Sequence, residues 1–309
     1  MNKPKDEPGL QTILSHCGRN LEASGGYVNV PPYEGSTILH DDMEDLFGRV
    51  DNHLYGDGTA QTYGTDGGPT HEAFYDAMNK LEGGAGTWAF STGLAGCTIP
   101  MMAFLKTGDH MLVTDSVYGP TRQFCEVLLK NFGVEAEFYE PTIGAGIEKL
   151  IRPNTRLIYM ESPGTHTFEM QDVPAIAAVA RKYNIVTMID NTYATPLNFQ
   201  PLKHGVDVVV HSATKYICGH SDVLMSTVTC NEKNWKQVRD VCKMTGQYAS
   251  AQSVYLGLRG LRTLKVRLDA VGVHTRKVVD WLLKREEVKK VIWPAYEKDP
   301  GYRIYKRDY

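Results

Sequence analysis

The sequence lacks several features that would assign it to a class of protein at once. Its six cysteines contain no Cys-x-x-Cys pair, so the chain has neither the usual spacing of a zinc site nor a disulfide framework. We interpret them as free thiols and expect a cytoplasmic protein without a metal site. No run of about eighteen apolar residues occurs, so no membrane span is predicted. The N-terminus has no apolar segment behind its lysines and does not resemble a secretory signal.

An excess of positive charge is also lacking. The formal net charge is −3 at pH 7, which gives no reason to expect nucleic acid or an anionic membrane as a partner. The contents of hydrophobic residues (42%) and charged residues (22%) are ordinary for a soluble globular protein. A chain of 309 residues has room for one large domain and part of a second.

From Thr70 onward the chain alternates between short apolar runs and helical patterns. Short apolar strands separated by crossover helices predict an α/β fold, in which helices cover both faces of a mostly parallel seven-stranded sheet. The first helix is predicted from Thr70, as its N-cap, to Leu81, and the last strand is a candidate for an antiparallel one. The predicted strands are Thr87–Phe90, His110–Thr114, Val134–Tyr139, Arg156–Glu161, Ile185–Asp190, Val206–Val210 and Val223–Thr229.

Three segments follow from the same pattern. Residues 1–66 are irregular, with an extended stretch around two consecutive prolines, and predict an extended N-terminal arm. Residues 67–262 predict the α/β domain. Residues 263–309 predict the start of a C-terminal domain, with a strand candidate at Val288–Trp293, and the chain stops before that domain's sheet would be complete.

Candidates for binding chemistry fall at the carboxyl ends of predicted strands, where parallel α/β sheets bind ligands. Ser91–Gly96 is a glycine-containing turn that enters a helix. Its free amides suit a phosphate, although an ordinary helix cap has the same pattern. Asp190 ends an apolar strand, where a carboxylate needs a cation or several donors. A pyridinium nitrogen is such a cation, and a helix or turn cap is the alternative.

The third candidate is Lys215, in the stretch Asp207–Ser221. An apolar strand precedes it, and the hydroxyl residues Ser212 and Thr214 lie just before it. A lysine in this place could form an imine with a carbonyl cofactor, and the hydroxyls could donate to a phosphate. The alternative is a solvated loop lysine. Together with Asp190 at the neighbouring strand end and the upstream glycine turn, the pattern favours a site more than any one residue does.

The stretch Asp207–Ser221 resembles the pyridoxal-phosphate (PLP) attachment signature of the Cys/Met-metabolism PLP-dependent enzymes, the transsulfuration lyases and synthases. The resemblance covers about Val28 to Tyr309 and implies PLP fold type I, the aspartate-aminotransferase-like fold. Further blocks that agree with this family are Leu81-Glu-Gly-Gly, Gly108-Asp-His, Tyr118-Gly-Pro-Thr, Glu161-Ser-Pro-Gly, Asp190-Asn-Thr and Arg259-Gly-Leu-Arg-Thr-Leu264.

The resemblance implies a role for each candidate residue. Lys215 would hold the aldehyde of pyridoxal 5'-phosphate and, once freed by the substrate, move protons. Asp190 would pair with the pyridine nitrogen, and Tyr118 would stack on the ring. Tyr118 and Tyr63 are also candidate catalytic residues, since a tyrosine near the lysine could assist proton transfer. Tyr63, at the end of the N-terminal arm, would reach into the site of a neighbouring subunit. The residues implied to bind the phosphate are the amides of Gly93 and Leu94 and the hydroxyls of Ser212 and Thr214.

Without the resemblance, Tyr118 and Tyr63 would each be interpreted as a packed aromatic residue. With it, the active unit is expected to be a homo-oligomer, at least a dimer and commonly a dimer of dimers.

The block Glu161-Ser-Pro-Gly, where γ-acting members usually carry Ser-Pro-Thr-Asn-Pro, is most similar to that of the bacterial cystathionine β-lyase branch. The implied reaction cleaves L-cystathionine into homocysteine, pyruvate and ammonia, in transsulfuration and methionine biosynthesis, with L-cystathionine or L-cysteine as substrate. One alternative is a γ-acting member, namely cystathionine γ-synthase, cystathionine γ-lyase or methionine γ-lyase. A second alternative is a truncated PLP-binding pseudoenzyme that does not turn over.

The sequence departs from the family pattern in two places. Many members carry Tyr-x-Arg, whose arginine binds the neighbour's phosphate, whereas this chain has Tyr63-Gly-Thr65, and no arginine lies between Arg49 and Arg122. A threonine hydroxyl is a weaker partner for a dianion than a guanidinium, so we expect other donors or a lower cofactor affinity. The arginine that holds the substrate α-carboxylate in the family's C-terminal domain is not assigned to any residue here.

Overall fold

A seven-stranded sheet forms the centre of the computed structural model, which describes residues 8–21, 24–56, 58 and 60–309. From one edge to the other the strands follow the order β1-β7-β6-β5-β4-β2-β3. The strands are β1 (Gly86–Phe90), β2 (His110–Thr114), β3 (Glu135–Tyr139), β4 (Thr155–Glu161), β5 (Val186–Asp190), β6 (Val208–His211) and β7 (Ser226–Cys230).

Strands β2 to β6 are parallel to one another, and β7 is antiparallel to both β6 and β1. This confirms the predicted α/β class, the mostly parallel sheet and the antiparallel last strand. Because β4, β5 and β6 are parallel neighbours, their carboxyl ends lie side by side. The border of the sheet that these strand ends form is called the carboxyl edge below.

The helices lie mainly in the crossover connections and after the sheet. Between α5 and β3 the chain continues from α5 as a π-helix over Phe124–Leu129. The α-helices are α1 (Leu10–His16), α2 (Met43–Tyr55), α3 (Pro69–Glu82), α4 (Gly93–Thr98), α5 (Gly119–Gln123), α6 (Val173–Lys182), α7 (Thr195–Asn198), α8 (Glu232–Met244), α9 (Ala251–Leu261), α10 (Leu264–Leu282) and α11 (Tyr302–Asp308).

The strands are apolar because both faces of the sheet are buried. Tyr159 and Met188 pack into the hydrophobic cluster on one face. Ile158 and Ile189 pack into the cluster on the other face. Successive side chains of a strand alternate between faces, so Asp190, two residues after Met188, points to the face of the first cluster.

The expectation that residues 1–66 are irregular is wrong at two places, because α1 and α2 form there. Helix α2 has an acidic first turn, and Asp42 caps it by accepting a hydrogen bond from the amide of Asp45 at 2.8 Å. None of its residues is buried. Residues 1–7, 22, 23, 57 and 59 of the predicted arm lie outside the described residues, and its contact with a neighbouring subunit remains a prediction.

Thr70 does not cap α3. The helix begins at Pro69 after Gly68, because proline at the first helical position costs no hydrogen bond. The Thr70 hydroxyl instead donates to the carbonyl oxygen of Pro31 at 2.7 Å and accepts from the amide of Tyr33 at 2.9 Å. These bonds hold the N-terminal segment against α3.

The predicted strand at Val288–Trp293 is also wrong, since this stretch forms neither strand nor helix. Helix α11 lies at the end of the sequence, and the partly buried ring of Tyr309 stacks on Phe199 with 5.4 Å between centroids. Its hydroxyl donates to the carbonyl oxygen of Ser162 at 2.5 Å. Residues 263–309 therefore pack back on the α/β domain, and their assignment to a separate domain remains a prediction.

All six cysteines are free and buried. In the part of the chain that the structure describes, no helix is both long and apolar enough to pass through a membrane. Within the same residues, no group of three or more His, Cys, Asp or Glu side chains is arranged to hold a metal ion.

Candidate active site

Lys215 lies in the turn that follows β6, at the carboxyl edge of the sheet, where Asp190 also lies. The Lys215 amide donates to the carbonyl oxygen of Ser212 at 3.0 Å, and the Lys215 carbonyl accepts from the amide of Gly219 at 2.8 Å. These two bonds fix the backbone on both sides of the lysine, whereas the residue itself is exposed. The structure thus offers an accessible amine on an ordered turn.

Arg267 of α10 holds this turn from behind. Its guanidinium donates to the carbonyl oxygens of Tyr216 at 2.6 Å, Ile217 at 3.3 Å and Gly260 at 2.8 Å. Partial burial lowers the pKa of Arg267. Helix α9 comes so close that a Cβ on Gly260 would lie 2.1 Å from the Ile217 carbonyl oxygen. The sequence analysis missed Arg267, because a contact across 51 residues leaves no local pattern.

The glycine turn at the start of α4 lies against Ser212. A Cβ on Gly93 would lie 2.6 Å from the Ser212 hydroxyl oxygen, so a larger residue there would displace the Ser212 side chain. Thr92 caps α4 through the amide of Ala95 at 3.2 Å, and its carbonyl oxygen accepts from the hydroxyl of Ser226 at 2.7 Å. The turn and the hydroxyl that were predicted to share a phosphate are therefore neighbours, and Leu94 is partly exposed beside them.

Thr214 is engaged elsewhere. Its hydroxyl donates to the carbonyl oxygen of Met225 at 3.1 Å and accepts from the Met225 amide at 3.0 Å. Because a hydroxyl has a single hydrogen, Thr214 would have to change partner before it could donate to a phosphate. The role of Thr214 in binding the phosphate therefore remains a prediction, and it requires this change of hydrogen-bond partner.

Thr192 links two parts of the site, and the sequence analysis gave it no role. Its amide donates to the carboxylate of Asp190 at 2.9 Å, and its hydroxyl accepts from the amide of Ser212 at 2.7 Å. The end of β5 is therefore tied to the start of the Lys215 turn. The only sequence signal for Thr192 is its position two residues after Asp190, which ends a predicted strand.

Asp190 is a buried carboxylate, 9% exposed, whose hydrogen-bond donors are both uncharged. Besides the Thr192 amide, the thiol of Cys97 on α4 lies 3.6 Å from it. Among the described residues no lysine, arginine or histidine forms an ion pair with Asp190. A buried carboxylate of this kind is costly unless a cation faces it. A cationic ring nitrogen would supply this missing positive charge, so the surroundings of Asp190 fit the predicted cofactor.

Glu161 ends β4 directly beside Asp190, its partner in the strand register. One of its carboxyl oxygens accepts from the amide of Tyr118 at 2.8 Å, and the other accepts from the hydroxyl of Thr165. Burial, and secondly the charge of Asp190, raises the pKa of Glu161 from 4.5 to about 8. The sequence analysis counted Glu161 in a family block without giving it a function.

Tyr118 lies at the start of α5 with its ring 44% exposed. Its backbone is held by Glu161, as described above, so the ring projects from an anchored position at the same edge as Asp190. An exposed ring on a fixed backbone is suited to stacking on a planar group. The predicted role of Tyr118 in stacking remains a prediction that this position supports.

Tyr63 lies on a different cavity, of about 220 Å³, which Thr65 also lines. Among the residues lining this cavity are the cationic Lys243 and the imidazole of His53, whose Nζ and Nδ1 atoms are 3.0 Å apart. Neither Lys215 nor Asp190 lines it. Within one chain the structure thus brings together the strand-end residues but not Tyr63, in keeping with the expectation that Tyr63 serves a neighbouring subunit.

Comparison with known proteins adds a family to this geometry. The family model described as "Cys/Met metabolism PLP-dependent enzyme" matches residues 11–309. The cystathionine beta-lyase of Haemophilus influenzae is 38% identical over 302 residues, which cover 97% of this chain and 76% of the relative. The cystathionine beta-lyase MetC of Escherichia coli gives the same identity and the same coverage.

A solved structure agrees in fold. The cystathionine gamma-lyase of Lactobacillus plantarum, complexed with L-serine, superimposes with a TM-score of 0.89 at 29% identity. The match covers 97% of this chain and 76% of that one. A protein named for γ-cleavage therefore shares the fold of this chain, whose sequence relatives at 38% identity are named for β-cleavage.

Proposed function

This chain belongs to the Cys/Met-metabolism family of PLP-dependent enzymes, and we propose that within this family it is a carbon–sulfur β-lyase that cleaves L-cystathionine to homocysteine, pyruvate and ammonia. Its cofactor is pyridoxal 5'-phosphate. The observation that carries the proposal is the buried carboxylate of Asp190 at the carboxyl end of β5 together with the exposed Lys215 in the turn after the neighbouring strand β6.

Six residues at the carboxyl edge would hold the cofactor. Lys215 would bind its aldehyde carbon, Asp190 would face the ring nitrogen, and Tyr118 would pack on the ring. The phosphate would take the amides of Gly93 and Leu94 and the hydroxyl of Ser212. Thr214 would contribute only after its hydroxyl leaves Met225.

When bound, pyridoxal phosphate supplies an electron-accepting ring that stabilises negative charge at the substrate α-carbon. The chain's own residues control the protons. The Lys215 amine would take the proton from the substrate α-carbon and return a proton to the departing sulfur. Asp190 would keep the ring nitrogen protonated, and the rings of Tyr118 and Tyr63 would help to exclude water from the reacting atoms.

Two features support β-cleavage over γ-cleavage. The block Glu161-Ser-Pro-Gly lacks the asparagine and second proline usual in γ-acting members. The relatives at 38% identity carry the name cystathionine beta-lyase. The γ-acting alternative rests on the likeness to the Lactobacillus plantarum structure.

We further propose that the active form is a homo-oligomer, a dimer or a dimer of dimers, in the cytoplasm. Tyr63 lies on a cavity that neither Asp190 nor Lys215 of the same chain lines. A second copy would present Tyr63 to that set and so complete the site. Size-exclusion chromatography with light scattering tests the assembly.

The reaction is tested by incubating the purified protein with pyridoxal phosphate and L-cystathionine. We expect pyruvate and homocysteine. Formation of 2-oxobutyrate and cysteine would instead establish the γ-acting alternative. A visible absorbance band without either product would establish the pseudoenzyme alternative.

The attachment point is tested separately by borohydride reduction and peptide mapping. The cofactor mass is expected on Lys215 in the wild type and nowhere in Lys215→Ala. The matched control is Lys203→Ala, which removes an exposed lysine from another part of the surface. A cofactor mass on a different lysine of the wild type would overturn the assignment.

A further inference from the structure

Three buried polar side chains form a cluster beside Asp190. The thiol of Cys97 on α4 lies 3.6 Å from a carboxylate oxygen of Asp190 and donates a hydrogen bond to it. Cys97 is 2% exposed, and the side chains of Tyr159 on β4 and Thr121 on α5 are fully buried next to its sulfur. None of these three residues has a part in the proposed reaction.

The thiol of Cys97 has one hydrogen and therefore one acceptor at a time. Burial raises the pKa of Cys97, so the sulfur carries this hydrogen at neutral pH. The carboxylate of Asp190 is a stronger acceptor than the neutral hydroxyls of Tyr159 and Thr121. Neither hydroxyl has a hydrogen-bond partner among the described residues, so each can turn its own hydrogen toward the sulfur. The cluster therefore leaves the thiol hydrogen to Asp190.

Asp190 thus receives a donor on each of its two carboxylate oxygens. The amide of Thr192 donates to Oδ1 at 2.9 Å, and the Cys97 thiol donates to Oδ2. The terminal torsion of an aspartate is broad, so a single donor leaves the plane of the carboxylate poorly defined. The second donor, which comes from a different element of the fold, fixes that plane.

Cys97 can fix the carboxylate because its own position is fixed. The hydroxyl of Ser226, at the start of β7, donates to the carbonyl oxygen of Thr92, the residue that caps α4. Cys97 also packs in the same hydrophobic cluster as Met188 of β5, two residues before Asp190. Helix α4, whose first residues are proposed to bind the phosphate, therefore also holds the carboxylate that would face the ring nitrogen.

We propose that Cys97 is a positioning residue for cofactor binding, whose thiol holds the Asp190 carboxylate in the plane that faces the ring nitrogen. Cys97 makes and breaks no covalent bond in this role. The inference rests on the proposed role of Asp190 as the partner of the ring nitrogen. The part of the cofactor affinity that comes from the ring nitrogen therefore depends on the donor at position 97.

The variants Cys97→Ala and Cys97→Val both remove this donor. Alanine is smaller than cysteine and valine is larger, so an effect that both variants share comes from the missing donor and not from a change in packing. The matched control is Cys125→Ala, which removes another buried thiol from the same hydrophobic cluster.

The experiment is titration of the cofactor-free proteins with pyridoxal phosphate and with the analogue that has carbon in place of the ring nitrogen. The measured quantity is the ratio of the two dissociation constants. In the wild type we expect pyridoxal phosphate to bind more tightly, because only this ligand offers a cationic nitrogen to Asp190. Its advantage should fall by about tenfold in both Cys97 variants and remain unchanged in Cys125→Ala.

A purely structural role for Cys97 would weaken the binding of both ligands alike. An unchanged ratio in either Cys97 variant would therefore overturn the proposal. Equal affinity of the wild type for the two ligands would refute the role of Asp190 on which the proposal rests. Failure to bind either ligand would refute the proposed function itself.

The S–H stretching band of the wild type decides the question if the Cys97 variants do not fold. A cation beside a carboxylate makes that carboxylate a weaker acceptor. Pyridoxal phosphate should therefore move the Cys97 band to higher frequency, whereas the analogue should leave it in place. The infrared difference between the two complexes cancels thiols that do not sense the ring nitrogen. Identical S–H spectra of the two complexes would reject the proposal.

Discussion

The strand-end site and the Tyr63 cavity differ in how the chain builds them. The first takes Glu161, Asp190 and Lys215 from the ends of three neighbouring parallel strands. The second takes His53 from α2, Trp88 from β1, and its other residues from the segment just before α3 and from the end of α8 and the turn after it. The sheet fixes positions through register and alternation, whereas the cavity depends on contacts such as that of Lys243 with His53, across 190 residues. A site at strand ends is therefore far easier to infer from sequence.

The substitution with the largest expected effect is Lys215→Ala, which alters the strand-end site and leaves the Tyr63 cavity unchanged. Loss of the amine removes both the attachment point and the group that moves protons, so pyruvate release should fall by at least about 10³-fold. Steady-state pyruvate formation measures it, with Lys203→Ala as the matched control. Activity within about tenfold of the wild type would mean that the strand-end site is not the active site.

The next effect concerns stability against pH, through Glu161. Its pKa is about 8 in the folded chain and about 4.5 in the unfolded one. Between these values the folded state holds a proton that the unfolded state has lost. This contribution to stability is fully present below pH 4.5 and is lost as the pH rises through 8, by at most about 1.4 kcal/mol per pH unit.

Urea unfolding of the cofactor-free protein between pH 5 and pH 8 measures that slope. Because other groups also titrate, the informative quantity is the difference between the wild type and Glu161→Gln. The stability of the variant should fall less steeply with pH. If the stability of both proteins changed with pH in the same way, Glu161 would be ionised in the folded state, and its pKa would not be raised.

Asp190→Asn should lower activity by about 10²-fold, because an amide cannot hold a proton on the ring nitrogen by charge. Attachment to Lys215 should survive, since the amine is untouched. Pyruvate release and borohydride-fixed cofactor are measured on the same sample. Loss of both together would mean that Asp190 acts by supporting the fold, not through its charge.

The sequence predicted the strand-end site because its signals are local. One apolar run ends in Asp190, and another is followed by hydroxyl residues and Lys215. Each pattern indicates the carboxyl end of a buried strand with reactive side chains. The alternation of side chains along a strand then predicts which face of the sheet each one is on. The seven strands were predicted to within a few residues for the same reason. The family resemblance added the identity of the cofactor, which no strand pattern contains.

What the sequence did not predict depends on distant contacts. Thr70 appeared to cap α3, but its hydroxyl bonds to Pro31, 39 residues earlier, and proline begins the helix. The apolar run Val288–Trp293 looked like a strand, yet it has no neighbouring strand to pair with in the described chain. Arg267 and the hydroxyl of Thr192 were missed because they bond to distant backbone groups that no motif marks, the carbonyl oxygen of Tyr216 and the amide of Ser212.

Arg267→Ala tests how far the Lys215 turn depends on α10. It would remove the guanidinium donor from the carbonyl oxygens of Tyr216 and Ile217, whereas that of Gly260 still accepts from the amide of Thr263 at 3.1 Å. The expected cost is about 2 kcal/mol in the free energy of unfolding. Urea unfolding measures it, with the exposed Arg303→Ala as the control. Unchanged stability would show that the turn is ordered by its own hydrogen bonds.

The smallest effect tests whether the Tyr63 cavity belongs to the cofactor site of a second copy. Thr65→Arg adds a guanidinium beside Tyr63, and a bidentate bond to a phosphate should raise cofactor affinity by about tenfold, since the ammonium group of Lys243 lines the same cavity. Titration of the cofactor-free protein with pyridoxal phosphate measures it. Thr65→Gln controls for size without charge and should bind as the wild type does. If the arginine leaves affinity unchanged while Lys215→Ala abolishes attachment, the two regions are functionally independent, and the Tyr63 cavity requires a different explanation.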